Sequence, residues 1–398
     1  MAAVDTTTAF PPLPSFKGTP GWEFTPLDKV DPDSFAPAPG GDAAAHAGRA
    51  LFHDVEGTVT VAASDAEATA TSEGPVVLSL AVARERHPDI VEKHLGSVVK
   101  DSPLVARNAA QWTDGAFVYV PRNVHVEAPI HLSAVHEQAG TSLNTRTLVV
   151  LEEGAQAEVW DELFSADDET EGLVNTVVEL SVGQNARLRY IGAQNLNEQS
   201  TILGTQRAIV ARDGHLDWIT LGFGAKLGKV FLETKLDGRG AHASVTGAYA
   251  THGRQHLDFD TLQEHAAEST TSDLAFRGIL DGRSRTVWRG MIQVDKDAQQ
   301  TDAFQESRNL LLGGKAHADA IPGLEILADD VRCTHAAAIA KIDAEQLFYL
   351  RSRGLSEGTS QRLVIEGFLQ ALVERFEEGI VRDAVAEALD ARLAAVLG

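Results

Sequence analysis

The chain has 398 residues, 43% of them hydrophobic, so it can bury a large core in one main domain with smaller appendages. Its 57 acidic and 34 basic side chains give a net charge of −23, and so negative a surface makes nucleic acid an unexpected partner. Because no run reaches the roughly 20 apolar residues of a membrane span, and the first thirty residues show no signal sequence, we expect a cytoplasmic protein.

The N-terminal part, residues 1–100, is predicted to be flexible and helical. Residues 1–45 are rich in Pro, Gly, Thr and Asp, a composition typical of flexible chain. They enclose one aromatic island, Trp22–Leu27, whose alternating aromatic residues indicate a docked extended segment. Further on, the spacing of apolar residues predicts a helix between Ala81 and Val99, with one face formed by Ile90, Val91, His94 and Leu95.

Residues 101–335 are predicted to form the β core. Between about residues 115 and 327, short runs of β-branched residues are separated by Gly, Asn and Asp, which is the pattern of strands and turns. Turn glycines at positions 154, 183, 214 and 238 are 29, 31 and 24 residues apart, and such a loose period indicates stacked repeats. We therefore favour a β-solenoid over the alternative, a sandwich or jelly roll with turns every 8–12 residues.

Residues 336–398 are predicted to form a C-terminal helical domain. Asp343 is a suitable N-cap for a first helix that ends near Gly354, and Ser356 or Ser360 opens a second. A last helix covers Ile380 to Leu397. The apolar stripes of the last two helices are expected to be core within the domain rather than a partner surface. They comprise Val364, Ile365, Phe368, Leu369, Leu372, Phe376, Val381, Val385, Ala388 and Leu389.

The strongest local candidate for chemistry is Cys333-Thr334-His335. If this segment is extended, Cys333 and His335 point to the same face, and thiolate with imidazole suits Fe or Zn. The alternative is a buried small apolar residue beside an ordinary histidine. Cys333 is the only cysteine, so the chain has no intramolecular disulfide, in agreement with a reducing compartment.

A second candidate is the run that contains His256, Asp258 and Asp260, which share one face if the run is a strand. The same alternation describes any half-buried strand, and that interpretation is preferred here. His317 is interpreted as part of a polar turn. The sequence has neither a phosphate-binding P-loop nor a G-x-S-x-G elbow, so we expect no nucleotide site of its own and no enzyme activity.

Several segments resemble the SufB/SufD family of iron–sulfur cluster assembly proteins. The resemblance runs from Trp22 onward and is densest over residues 310–370. At Lys315–Asp319 the chain has no cysteine, where SufB-like members carry a Cys-Gly-Ala-His-Thr segment, so it resembles the other branch. The segments that carry the resemblance are Trp22–Leu27, His256–His265, Phe276–Leu280, Pro322–Ala338, Ile342–Leu355 and Leu363–Leu369.

The resemblance implies a right-handed parallel β-helix between an N-terminal helical part and a C-terminal helical domain. It also implies partners: a SufB-like sister subunit that pairs through the β-helix, and a SufC-like ABC ATPase that docks on the C-terminal helices. A homodimer in the absence of the sister subunit is a further possibility. No catalytic activity of the chain itself is implied.

Cys333 and His335 fall on the family positions implicated in cluster assembly at the subunit interface. The implied cofactor is a transient iron–sulfur cluster shared with the partner, and no nucleotide is bound by this chain. One cysteine cannot supply the four ligands that such clusters usually take, which agrees with a site completed across an interface. Two rivals stay open: a self-associating structural solenoid, and a β-helix carbohydrate-active enzyme that uses Asp258 and Asp260.

Overall fold

The computed structural model describes residues 13–14, 19, 21–25, 27, 30–52, 59–62, 68–70, 74–376 and 378–397. Pro26, within the predicted aromatic island, and residues 1–12, within the predicted flexible region, lie outside the described residues. The N-terminal elements are β1 (Ala36–Ala38), β2 (Val59–Ala62), β3 (Ala68–Ala70), β4 (Val76–Ser79), α1 (Leu80–Arg86), α2 (Pro88–His94) and α3 (Pro103–Gln111).

Long strands of similar length follow, and three helices end the chain. The strands are β5 (Asp114–Val120), β6 (Ile130–His136), β7 (Thr141–Leu151), β8 (Gln156–Ser165), β9 (Gly172–Val182), β10 (Arg187–Asn195), β11 (Thr201–Val210), β12 (His215–Gly222), β13 (Leu227–Leu236), β14 (His242–Thr251), β15 (His256–His265), β16 (Thr271–Leu280), β17 (Arg285–Val294), β18 (Thr301–Leu311), β19 (His317–Ile326) and β20 (Val331–Lys341). The helices are α4 (Ala344–Ser352), α5 (Glu357–Val373) and α6 (Ile380–Leu397).

The strands form a parallel β-solenoid of about eight turns. Odd-numbered strands from β5 to β19 pair in order in one sheet, sheet A, which β4 and β3 extend; even-numbered strands from β6 to β20, preceded by β2, form sheet B. Successive strands therefore alternate between the sheets, and each turn of the solenoid contributes one strand to each. This confirms the solenoid prediction and rules out the sandwich alternative, because each long strand pairs with the next-but-one strand in sequence.

The turns from sheet A to sheet B are stacked through a column of backbone hydrogen bonds. One residue in most of these turns has a left-handed backbone, and its N–H donates to the next turn, as in Gly154 N to Gln184 O at 2.8 Å. The four predicted turn glycines all lie in these turns, but only Gly154 is left-handed. Position 238 has no room for a side chain, because a Cβ on Gly238 would lie 2.1 Å from the backbone nitrogen of Arg212.

The interior of the solenoid is filled by aromatic rings placed against glycines. A Cβ on Gly247 would lie 2.4 Å from the Phe276 ring, and one on Gly290 would lie 2.3 Å from the Trp288 ring. Several of these rings therefore fill space left by a missing side chain, and the interior packs at high density. The buried rings are Tyr190, Trp218, Tyr249, Phe259, Phe276 and Trp288.

The outer face of sheet A is covered by the N-terminal segment. In the aromatic island, the Trp22 ring packs against Phe231 with centroids 5.1 Å apart. The predicted helical region contains α1 and α2, and its face packs through buried Val91, with Ile90 and Leu95 at the margin. α3 is held by Asn108, whose amide donates to backbone carbonyls of both β7 and β9.

The outer face of sheet B is covered by α5 and α6. The predicted apolar stripes form a core with this sheet, centred on Ile365 and Leu369 of α5 and Val385 of α6. The predicted caps are also present: Asp343 accepts from Glu345 N, and Ser356 accepts from Thr359 N, which leaves Ser360 inside α5. None of the described helices is long and apolar enough to cross a membrane.

Candidate functional site

The last turn of the solenoid, β19 and β20, differs from the middle turns because its strands have one neighbour each. β19 pairs with β17 and β20 pairs with β18, and within the described residues nothing pairs with their outer edges. Free edges of this length carry unpaired backbone N–H and C=O groups, which natural proteins ordinarily cover or pair. We call this face, formed by β19 and β20, the open end.

The interior side of the open end is largely apolar. The residues of β19 and β20 that are in register with the inward-facing residues of β17 and β18 also face inward. Within the described residues no further turn covers them, so this last interior layer is exposed. Leu324 and Ile326 are 37% and 38% exposed, and Ile339 is 46% exposed. A contiguous apolar surface at an unpaired sheet edge is typical of a protein–protein interface. The inward positions of this layer are Ala320, Pro322, Leu324, Ile326, Val331, Cys333, His335, Ala337 and Ile339.

Cys333 lies on β20 in register with Ala303. It is half-buried and packs at the margin of a small cluster that includes Ile292 and Val294. Burial raises the pKa of the Cys333 thiol, and the nearby Asp302 carboxylate raises it further. The thiol is therefore protonated at neutral pH, and formation of the thiolate depends on a cation or metal at the open end.

His335 lies two residues after Cys333 on the same inward face, and its Cα is about 7 Å from that of Cys333. It is exposed and makes no hydrogen bond or ion pair to any described residue. The predicted extended geometry is therefore present, and the two donors are neighbours. Among the described residues, however, no group of three or more His, Cys, Asp or Glu side chains could hold a metal. The pair therefore supplies two potential metal donors on the described part of the chain.

Gln305 lies next to His335 on the neighbouring strand, further inside the solenoid, and the sequence did not indicate it as a functional residue. It is in register with His335 on β18 and is fully buried. Its Nε2 donates to the carbonyl oxygens of Gly290 at 3.2 Å and Gly323 at 3.0 Å, so it joins the two sheets across the interior. A lone glutamine within an alternating strand carries no sequence signal for this role.

The second candidate cluster is covered. His256, Asp258 and Asp260 share the outer face of β15, as predicted, but the N-terminal segment lies over them. Asp258 accepts a hydrogen bond from Thr25 and receives Lys229 Nζ at 2.9 Å. With Asp258 only 3% exposed, this cluster has the geometry of a structural ion pair.

Burial controls the ionisation of this covered cluster. It raises the pKa of Asp260 to about 6, with Lys229 and Arg289, each 3.7 Å away, opposing the rise. It lowers the pKa of His256 to about 4, and Arg285 and Lys229 contribute to that fall. Lys229 was missed because a lysine on an alternating strand, like Lys235 further along β13, looks like an ordinary exposed position.

Two further features lie outside these clusters, namely His317 and the surface formed by α4 and α5. His317 begins β19, is exposed, and contacts Asp319 through Nε2 at 3.1 Å. On α4, Phe348 and Tyr349 are 75% and 56% exposed, and Leu363 of α5 is 44% exposed. Tyr349 and Leu363 line a surface groove between α4 and α5. Val364, from the predicted apolar stripe of α5, also lines this groove, whereas Ile365 and Leu369 pack on sheet B.

Comparison with known proteins identifies two matching families in consecutive parts of the chain. Residues 55–132 match the SufBD protein N-terminal region, and residues 134–368 match the SUF system FeS cluster assembly SufBD core domain. The iron–sulfur cluster assembly protein SufD of Bacillus subtilis (strain 168) is 32% identical over 319 residues, which cover 78% of this chain and 72% of that protein. An iron–sulfur cluster assembly SufBD family protein of Staphylococcus aureus (strain USA300) is 29% identical over 291 residues, 72% of this chain and 62% of the relative.

Proposed function

The chain belongs to the SufB/SufD family of iron–sulfur cluster assembly proteins, and from this premise we propose that it is a SufD-like, non-catalytic scaffold subunit. It works in the cytoplasm, pairs with a SufB-like sister subunit and docks a SufC-like ATPase. The observation that carries the proposal is the open end, where Cys333 and His335 lie side by side on β20, one of two strands with an unpaired edge.

The open end is the surface proposed to meet the sister subunit. A second solenoid can extend both sheets by pairing with the free edges of β19 and β20 while covering the exposed Leu324 and Ile339. Such a contact buries Cys333 and His335 between the subunits. The partner then supplies the remaining ligands of a transient iron–sulfur cluster, which is the product under assembly and not a resident cofactor.

The groove between α4 and α5 is proposed to dock the ATPase. Exposed aromatic residues are enriched at protein interfaces, and Phe348 and Tyr349 present two of them on one short helix. Because α5 packs on sheet B, a movement imposed on these helices is transmitted to the solenoid. The chain binds no nucleotide itself in this account, and ATP acts through the docked partner.

The carbohydrate-enzyme rival requires Asp258 and Asp260 to face a substrate groove. In the fold Asp258 is buried under the N-terminal segment and is engaged by Lys229 and Thr25. A polysaccharide cannot reach a carboxylate in this position without displacing that segment. The self-association rival uses the same open end as the proposed heterodimer, so it becomes an outcome of the interface experiment.

The proposal is tested by co-expressing the tagged chain with SufB-like and SufC-like proteins and measuring which of them co-purify. The Leu324→Lys/Ile339→Lys variant places two charges on the open end and is expected to lose the sister subunit. Ile380→Lys is the matched control, because Ile380 is 52% exposed on α6, away from the open end. Equal recovery of the sister subunit by both variants, or recovery of the chain only with itself, would contradict the proposal.

ATPase docking is tested in the same experiment. Tyr349→Asp places a charge in the groove and is expected to lose the ATPase while it retains the sister subunit, because the two surfaces lie on different parts of the chain. Retention of the ATPase by this variant would place docking elsewhere. Loss of both partners together would show that the two surfaces are not independent.

A further inference from the structure

A groove on the outer face of sheet B contains a polar ladder that the proposed function does not use. It lies at the start of the strands and is bounded on one side by Arg375 and Phe376, just after α5. Two in-register histidines form its centre: His215 on β12 pairs with His242 on β14. Their ring centroids are 5.5 Å apart.

Both imidazoles are available as ligands. Each is half-buried, and no ring nitrogen of either residue hydrogen-bonds to a described residue. Burial lowers the pKa of His215, with the nearby Arg187 and His242 contributing, and burial also lowers the pKa of His242. The rings are therefore neutral at neutral pH, and a neutral imidazole has a free nitrogen lone pair for a metal.

A carboxylate stands next to the pair. Asp217 is two residues after His215 on the same outward face of β12, and its carboxylate contributes to the electrostatic environment of His242. It now accepts a hydrogen bond from Arg189 Nε at 2.8 Å. Arg189 also forms an ion pair with Glu158 at 3.4 Å, so it retains one carboxylate partner when the Asp217 side chain moves to a metal.

We propose that His215 and His242, with Asp217 as the third donor, bind a divalent transition metal ion such as Fe²⁺ or Zn²⁺. Two imidazoles and one carboxylate are a donor set that these ions favour. As the side chains now stand, no three such donors converge among the described residues, so binding requires Asp217 to exchange Arg189 for the metal. Arg187 opposes a cation here, and Asp213 offsets part of that charge, while Asp273 is paired with Arg375 at 3.2 Å.

The test is a titration of the full-length chain with Co²⁺ and Zn²⁺, followed by calorimetry and visible absorption. His215→Asn and His242→Asn are each expected to weaken binding at this site by roughly tenfold or more, and Asp217→Asn by a smaller factor. Arg189→Gln is expected to tighten binding, because it frees Asp217. A gain of affinity with an unchanged unfolding temperature separates this effect from misfolding, so this variant keeps the test decisive.

His317→Asn is the matched control, since His317 is also followed two residues later by an aspartate, but its register partner is Arg285. It is expected to leave binding at the ladder unchanged. The Co²⁺ spectrum of this site is expected to lack a thiolate-to-metal band, which separates it from binding at Cys333. Binding that survives in the His215→Asn/His242→Asn variant, or histidine-dependent binding of inorganic phosphate in place of metal, would overturn the proposal.

Discussion

The middle turns of the solenoid and its last turn are built from the same repeating unit but have different surroundings. In the middle, each strand has a neighbour on both sides, the interior is filled by rings and glycines, and the N-terminal segment and α5–α6 cover the outer faces. At the open end, each strand has one neighbour and apolar side chains of the interior layer are exposed.

The two regions also differ in whether their polar side chains have hydrogen-bond or ion-pair partners. Asp258 in the middle is surrounded by Lys229 and Thr25, so its charge is fully engaged and performs a structural task. His335 at the open end makes no hydrogen bond or ion pair to a described residue, and the Cys333 thiol beside it is half-buried. A site that must accept an external ligand needs donors left free in this way. We therefore expect substitutions in the middle to change stability, and substitutions at the open end to change assembly.

Removal of Lys229 is expected to have the largest effect on stability. Lys229→Met leaves the buried Asp258 carboxylate without its cation, which is expected to cost about 3–5 kcal/mol of unfolding free energy. Chemical denaturation measures this loss. Lys235→Met is the control on the same strand: Lys235 pairs with Asp237 at the surface and is expected to contribute less than about 1 kcal/mol. Equal losses in the two variants would contradict the structural role of the covered cluster.

The covered cluster is also expected to make the stability of the fold depend on pH. The pKa of Asp260 is raised to about 6 in the fold from an ordinary value of 3.8, so between these values the folded chain binds more protons than the unfolded chain. Acidification from pH 6 to pH 4 therefore stabilises the native protein relative to Asp260→Asn, by roughly 3 kcal/mol at most. His256, whose pKa is lowered to about 4, acts in the opposite direction but is present in both proteins.

Denaturation of both proteins at several pH values measures the difference between them. A difference that stays constant from pH 6 to pH 4 would show that Asp260 is not held in a buried, charge-disfavouring position.

A smaller effect is expected from the packing of the interior. In Gly247→Ala the new methyl group meets the Phe276 ring, and the overpacking is expected to cost about 1–3 kcal/mol. Gly314→Ala, in the turn before β19, is the control, because its Cβ would meet nothing within 4 Å. Thermal unfolding compares the two variants, and Phe276→Leu is expected to restore part of the loss in the Gly247→Ala background. A neutral Gly247→Ala would contradict tight packing of the middle turns.

Most of the fold could be predicted from sequence because its determinants are local and repeated. Turn residues recur at a nearly constant interval, and the helix caps at Asp343 and Ser356 are encoded within three residues. The pairing of glycines with rings could not be predicted, since Gly247 and Phe276 are 29 residues apart and meet only when their strands are in register.

The candidate site was predictable only in part, for a related reason. Cys333-Thr334-His335 and His256-Leu257-Asp258 are both alternating polar pairs on strands, and nothing local separates them. The difference arises from distant contacts: Thr25 and Lys229 satisfy Asp258, whereas the chain ends its solenoid immediately beyond β20. The sequence did not indicate Gln305 or the exposed aromatic residues of α4. Their contacts and exposure depend on which strands and helices pack beside them, and the local sequence does not specify this.

Cys333 and His335 are proposed to serve cluster assembly and not the fold, and anaerobic cluster formation distinguishes the two roles. The chain is co-purified with its partners under anaerobic conditions, and cluster formation is followed by visible absorption and by iron and sulfide content. Cys333→Ala/His335→Asn is expected to lose cluster formation while partner recovery stays normal and unfolding free energy changes by less than about 0.5 kcal/mol. Thr334→Ala, on the opposite face of β20, is expected to behave like the native chain. Normal cluster formation in the double variant would contradict the account.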